Sequence, residues 1–101
     1  MSENITVKIN LKDEECLVES LKELGFVVEQ NEVAQTVKSY YNRTNKKAHV
    51  ILRKVSNRGL SADIGFELSG DEYLIHHDSM DKRKLKLKAL KQLYSKHRVR
   101  Q

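Results

Sequence analysis

The chain has 101 residues, of which 39% are hydrophobic, 33% charged and 6% aromatic, with no proline, no tryptophan and one cysteine. That is enough for one small globular domain over residues 1–101 and too little for two independent cores. The figures exclude a membrane-spanning helix, because no apolar run lasts more than a few residues. They also exclude a Pro/Gly-rich chain and an internal disulfide or a zinc site built from cysteines.

Residues 5–11 alternate as Ile5-Thr6-Val7-Lys8-Ile9-Asn10-Leu11, a half-buried strand. Asp13 is placed to cap a helix over 13–24, in which Leu17, Leu21 and Leu24 recur on one stripe and Gly25 marks the end. Phe26 to Gln30 reads as a strand, Asn31-Glu32 as a break, and residues 33–41 as a further strand. A polar loop over 42–47 leads to a strand over 48–55 and a turn over 56–59.

Leu60, Ala62, Ile64, Phe66 and Leu68 alternate with Ser61, Asp63, Gly65 and Glu67, the clearest strand pattern in the chain. Ser69-Gly70-Asp71 then reverses direction, and Glu72 to His77 returns as an antiparallel neighbour. Capping residues at 78–81 open a basic helix of about 80–98, on which Leu85, Leu87, Ala89, Leu90, Leu93 and Tyr94 form the apolar arc. Lys86 falls inside that arc, so either its stem snorkels or the regular helix starts later.

The expected fold is α+β, with the order β-α-β-β-β-β-β-α. Its mostly antiparallel sheet has about five to six strands, and two helices cover one face. Leu17, Leu21, Leu24, Ile64, Phe66 and Leu90 are the expected core.

Charge is unevenly distributed along the chain. The 19 Lys/Arg and 14 Asp/Glu give a net charge of +5, yet residues 1–50 carry 7 basic and 8 acidic side chains. Residues 82–100 carry nine Lys/Arg and no acid. Such a cluster creates a positive potential that attracts phosphate-rich partners, although a merely solvated helix face has the same composition. The residues expected to contact a polyanion are Lys84, Lys88, Lys91 and Arg98, with Arg53 and Arg58 adding to the patch. Tyr40, Tyr41 and Tyr73 would supply stacking faces to unpaired bases if they stood exposed on the sheet, and would otherwise pack under loops.

No catalytic motif, metal set or cofactor signature is expected. The four glycines form no phosphate-cradling loop. Cys16 stands at a helix N-terminus with no His nearby in sequence to activate it, and reads as a packed thiol. His76 and His77 are adjacent on a strand and point to opposite faces, so they are poorly placed to share an ion. One exposed and one partly buried histidine is the plain reading. Met1-Ser2-Glu3-Asn4 has neither the basic nor the apolar part of a secretory leader. With a lone cysteine, this makes the cytoplasm the expected compartment.

Three stretches carry a family resemblance. They are Ile5-Thr6-Val7-Lys8-Ile9 with Leu17, Leu21 and Leu24-Gly25-Phe26; Ala62-Asp63-Ile64-Gly65-Phe66 with the strand holding Tyr73; and Leu90-Lys91-Gln92-Leu93-Tyr94. In these the chain resembles the hypothetical chloroplast open-reading-frame-35 group. That small family of unknown function is found in cyanobacteria, red-algal plastids, other bacteria and phages. The resemblance implies an α+β domain and supplies neither an activity nor a catalytic residue.

The leading expectation is a non-enzymatic module binding RNA, single-stranded DNA or a nucleoprotein complex, without membrane contact. The alternatives are a regulatory module on an acidic protein partner, betrayed by an apolar patch beside the basic helix, and a small-molecule site anchored by Arg53, His76 or His77.

Overall fold

A computed structural model describes residues 4–9, 11–38, 46–70 and 72–100. Strand β1 (Asn4–Ile9) leads into helix α1 (Glu14–Glu23), followed by β2 (Glu29–Thr36), β3 (Lys47–Leu52), β4 (Ile64–Ser69) and β5 (Glu72–Asp78). A 3₁₀ turn (Ser79–Asp81), a short helix α2 (Lys82–Leu85) and a longer helix α3 (Leu87–Arg100) complete the chain. The sheet order is β1-β5-β4-β3-β2, and every neighbouring pair is antiparallel.

The strand period of two sorts side chains between the faces. Val7, Ile75, Phe66 and Val50 stand in one cross-strand row and face the helices. Thr6, His76, Gly65 and Ile51 form the adjacent row on the opposite face. Leu17, Val18 and Leu21 of α1 and Leu90 and Tyr94 of α3 close the main core over Phe66, Tyr73 and Ile75. A smaller cluster of Val37, Ala48 and Ile51 lies apart from it. The α+β class and the two helices on one face therefore stand as expected. Of the expected core, Leu24 alone is only partly buried.

Local chemistry fixes the helix ends. Asp13 accepts a hydrogen bond from the Cys16 backbone N–H at 3.1 Å, a side-chain N-cap. At the other end Phe26 N–H reaches back to Leu21 O and Gly25 N–H to Lys22 O. Gly25 adopts φ +96° there, the left-handed residue that such a terminus needs.

Three expectations are corrected. Of the two strands expected at 26–30 and 33–41, residues 29–30 and 33–36 belong to one strand, β2, and the break expected at Asn31-Glu32 is an irregularity inside it; residues 26–28 and 37–38 fall outside the strand, and 39–41 lie outside the described residues. Gln30 pairs with Val50 but Gln35 pairs with Ala48, so residues 31–34 face His49 alone. Leu60 and Ala62 continue the alternation of β4 but belong to a loop. The reason is that Asp81, fully buried, accepts the Ser61 and Ala62 backbone N–H groups at 2.8 and 3.2 Å and withdraws them from any ladder. The single terminal helix is two, broken at Lys86 with φ 54°. That left-handed residue resets the helical phase, so the Lys86 side chain leaves the apolar arc and is exposed.

Candidate functional site

From Leu87 onward α3 separates its faces cleanly. Leu90 and Tyr94 are buried, and Leu87, Leu93 and His97 are half-buried. Lys88, Lys91, Gln92, Ser95 and Lys96 are exposed at i, i+3, i+4, i+7 and i+8, which is one continuous outer face. The inner face is anchored at depth. The Tyr94 hydroxyl accepts the backbone N–H groups of Lys12 and Asp13 at 3.0 and 2.8 Å. His97 Nε2 lies 3.3 Å from Glu23 Oε1 of α1, without hydrogen-bond alignment. With the helix held against rolling, Lys88, Lys91 and Lys96 point to solvent together. Among the described residues no carboxylate pairs with any of the three.

The remaining cations divide. Arg58 and Lys84 both line a cleft of about 520 Å³ between the Gly25 turn, the 56–60 loop and α2. Lys84 donates to Gly59 O and lies 3.7 Å from Asp81 Oδ1. Arg53 is engaged elsewhere. Its guanidinium donates to Glu29 Oε2 at 2.9 Å and Asp63 Oδ2 at 3.0 Å, and to Thr36 O at 2.8 Å.

Asp63 is buried and gathers the Lys38 and Lys54 backbone N–H groups as well. The Arg53–Asp63 pair therefore knots three chain segments and leaves the Arg53 side chain 21% exposed. The Arg53 hydrogen bonds hold the Glu29 carboxyl below its usual 4.5, against the opposite pull of burial. Those carboxylates in turn raise Arg53 further, so it stays charged. The Arg98 backbone belongs to α3, and its side chain lies outside the described residues.

The expected stacking platform is not formed by Tyr73, which faces the core with 1% exposure. Its hydroxyl reaches Glu14 at 3.3 Å, and burial pushes the phenol well above its ordinary range. Tyr40 and Tyr41 lie outside the described residues.

The paired histidines do point to opposite faces, but both are buried, at 1% and 3% exposure. This corrects the expectation of one exposed ring. His77 Nδ1 bonds Asp78 O at 2.8 Å. His76 Nδ1 lies 2.8 Å from Thr6 Oγ1 and Nε2 lies 2.8 Å from Glu67 Oε1. This hydroxyl–imidazole–carboxylate row comes from three strands and could not be read from spacing. Thr6 lines neither described cleft, and the row reads as a buried imidazole satisfied at both nitrogens.

A second cleft of about 490 Å³, lined by Glu14, Gln30, Asn31, Glu32, His49 and Leu68, is acidic. Among the described residues no group of three or more His, Cys, Asp or Glu is placed to hold a metal ion. Cys16 is fully buried. No described helix is long and apolar enough to cross a membrane.

Two residues outside the expected contact set belong with it. Lys96 completes the outer face of α3, a position that the i, i+8 spacing from Lys88 already marks. Lys86 stands at the cleft mouth because of its left-handed backbone, which spacing alone does not reveal.

These features define a two-layer α+β domain with a cationic outer helix and a basic-lipped cleft beside it. The chain belongs to the family described as protein of unknown function (DUF1257), whose model matches residues 20–101. No curated protein and no solved structure matches it.

Proposed function

We propose that this domain is a non-enzymatic module that binds RNA or single-stranded DNA through its phosphates, using the outer face of α3. The same three stretches that resemble the chloroplast open-reading-frame-35 group make it a relative of that group in this reading, and its setting is the cytoplasm. The observation that carries the proposal is the shared outward display of Lys88, Lys91 and Lys96, unneutralised by any described carboxylate, on a helix that Tyr94 prevents from rolling. Arg53 takes no part. With Tyr73 buried, affinity comes from phosphate contacts and is largely indifferent to sequence.

A folded protein partner is the less favoured occupant. Among the described residues the exposed large apolar side chains are Val27, Val33, Val55, Leu68 and Met80, and none of these lies on α3. The apolar patch that such a partner would use is not formed beside the basic face by the described residues.

The test is a fluorescence-anisotropy titration of a single-stranded oligonucleotide at several salt concentrations. Three phosphate contacts give a log–log salt slope of about −2 for single strands, since each contributes about −0.7. The K88E/K91E/K96E variant alters only exposed positions and should stay folded while losing binding. Unchanged affinity in that variant refutes the proposal.

A further inference from the structure

The cleft beside α2 is built differently from the lysine face, and we infer that it holds a single nucleotide, an aromatic base carrying a phosphate. Its floor is apolar: Leu24, Phe26 and Leu60 line it, with Leu60 buried and the other two half-buried. Phe26 supplies an aromatic face of the kind on which bases stack. Its rim is cationic: Arg58, Lys84 and Lys86 converge from two separate segments. The only described carboxylate near the rim is Asp81, 3.7 Å from Lys84, which leaves a surplus of two positive charges, the complement of a phosphate dianion. A volume of about 520 Å³ lies within the range of small-molecule sites.

Two further features show a prepared cleft. The wall is locked, because Asn57 accepts from Val27 N–H at 2.7 Å and donates to Val27 O and Arg53 O at 3.0 Å each. The rim carries the one non-glycine residue with positive φ among those described, Lys86. That left-handed backbone sets Lys86 among the residues that line the cleft. An amphiphilic anion with a flat apolar body satisfies floor and rim together, whereas bare phosphate leaves the floor wet and a neutral ring leaves the rim unpaired. The inference rests on the nucleic-acid reading only for the source of the nucleotide, which is either the end of a bound strand or a free mononucleotide.

The experiment is amide NMR of the full chain titrated with adenosine 5′-monophosphate, adenosine and inorganic phosphate separately. The monophosphate should shift amides at 24–26, 58–60 and 84–86 and bind about ten-fold more tightly than either fragment. Binding should weaken about ten-fold in R58E, an exposed site, and in F26L, which keeps apolar bulk but removes the ring. The K88E/K91E/K96E variant should keep these shifts, so failure of the α3 proposal leaves them standing. Competition by a 5′-phosphorylated oligoadenylate, but not by its unphosphorylated form, assigns the site to a strand end. Competition by neither assigns it to the free nucleotide. Absence of those shifts at millimolar monophosphate, or unchanged affinity in both R58E and F26L, overturns the inference.

Discussion

Adding one methyl group at Gly65 should unfold a large part of this domain's stability. A Cβ built there would sit 2.4 Å from Val37 Cγ2 and 2.8 Å from Ala48 Cβ. Favourable carbon contacts begin near 3.5 Å, so the overlap is roughly 1 Å with Val37 alone. Neither side can yield cheaply. Val37 and Ala48 are fully buried, valine is stiff at χ1, and β4 is pinned between β3 and β5.

Overpacking of this kind costs about 1–3 kcal/mol, and the geometry places G65A at the upper end, about 3 kcal/mol. For a domain of this size the melting temperature should fall by more than about 10 °C. Val37→Ala alone removes two buried methyl groups and costs about 2 kcal/mol, but it also removes the atom nearest the new Cβ. In urea titrations with unchanged slope, the double variant should lose at least about 1 kcal/mol less than the sum of the single losses. A loss below about 0.5 kcal/mol for G65A, or strict additivity, refutes the packing argument.

Other expectations follow from named contacts. Tyr94→Phe leaves the Lys12 and Asp13 backbone N–H groups without their acceptor and should cost about 1–2 kcal/mol by chemical denaturation. Faster amide exchange through α3 should accompany it. The Glu29 carboxyl is held below 4.5 in the folded state, so its contribution to stability is present above that pH and is lost as pH falls through and below it. Glu29→Gln should therefore flatten the acid limb of stability against pH while leaving the neutral-pH shape alone. An acid limb identical to that of the parent chain would count against the Arg53 hydrogen bonds as its cause.

The sequence was legible where one periodicity acted alone. The Leu17-Leu21 stripe, the Asp13 cap and the Gly25 stop mark α1 because each is a local signal, and the alternation of Ile64 to Leu68 marks β4. It misled where a distant side chain overrode the local pattern. Leu60 and Ala62 alternate like strand residues, but Asp81, some twenty positions on, takes the backbone donors a ladder would need.

Arg53 looks like one more surface cation until folding brings Glu29 and Asp63 beside it. Tyr73 could stack or pack as far as the sequence goes, until the face of β5 that it occupies is set against the main core. The cationic face survives because α3 is long enough for its own spacing to decide. Lys86 was the visible anomaly in the terminal pattern, and its misfit with the apolar arc is the trace of the helix break.

Among the described strands β1 pairs with β5 alone, with Asn4 opposite Asp78, and the residues after it are fastened by Tyr94. During translation β1 therefore has no docking place until β5, far along the chain, has left the ribosome. Ile5, Val7 and Ile9 wait as an unpaired alternating strand, the kind of segment prone to pairing with a neighbouring nascent chain. Cellular yield of this protein should accordingly depend on how quickly the codons between β1 and β5 are read.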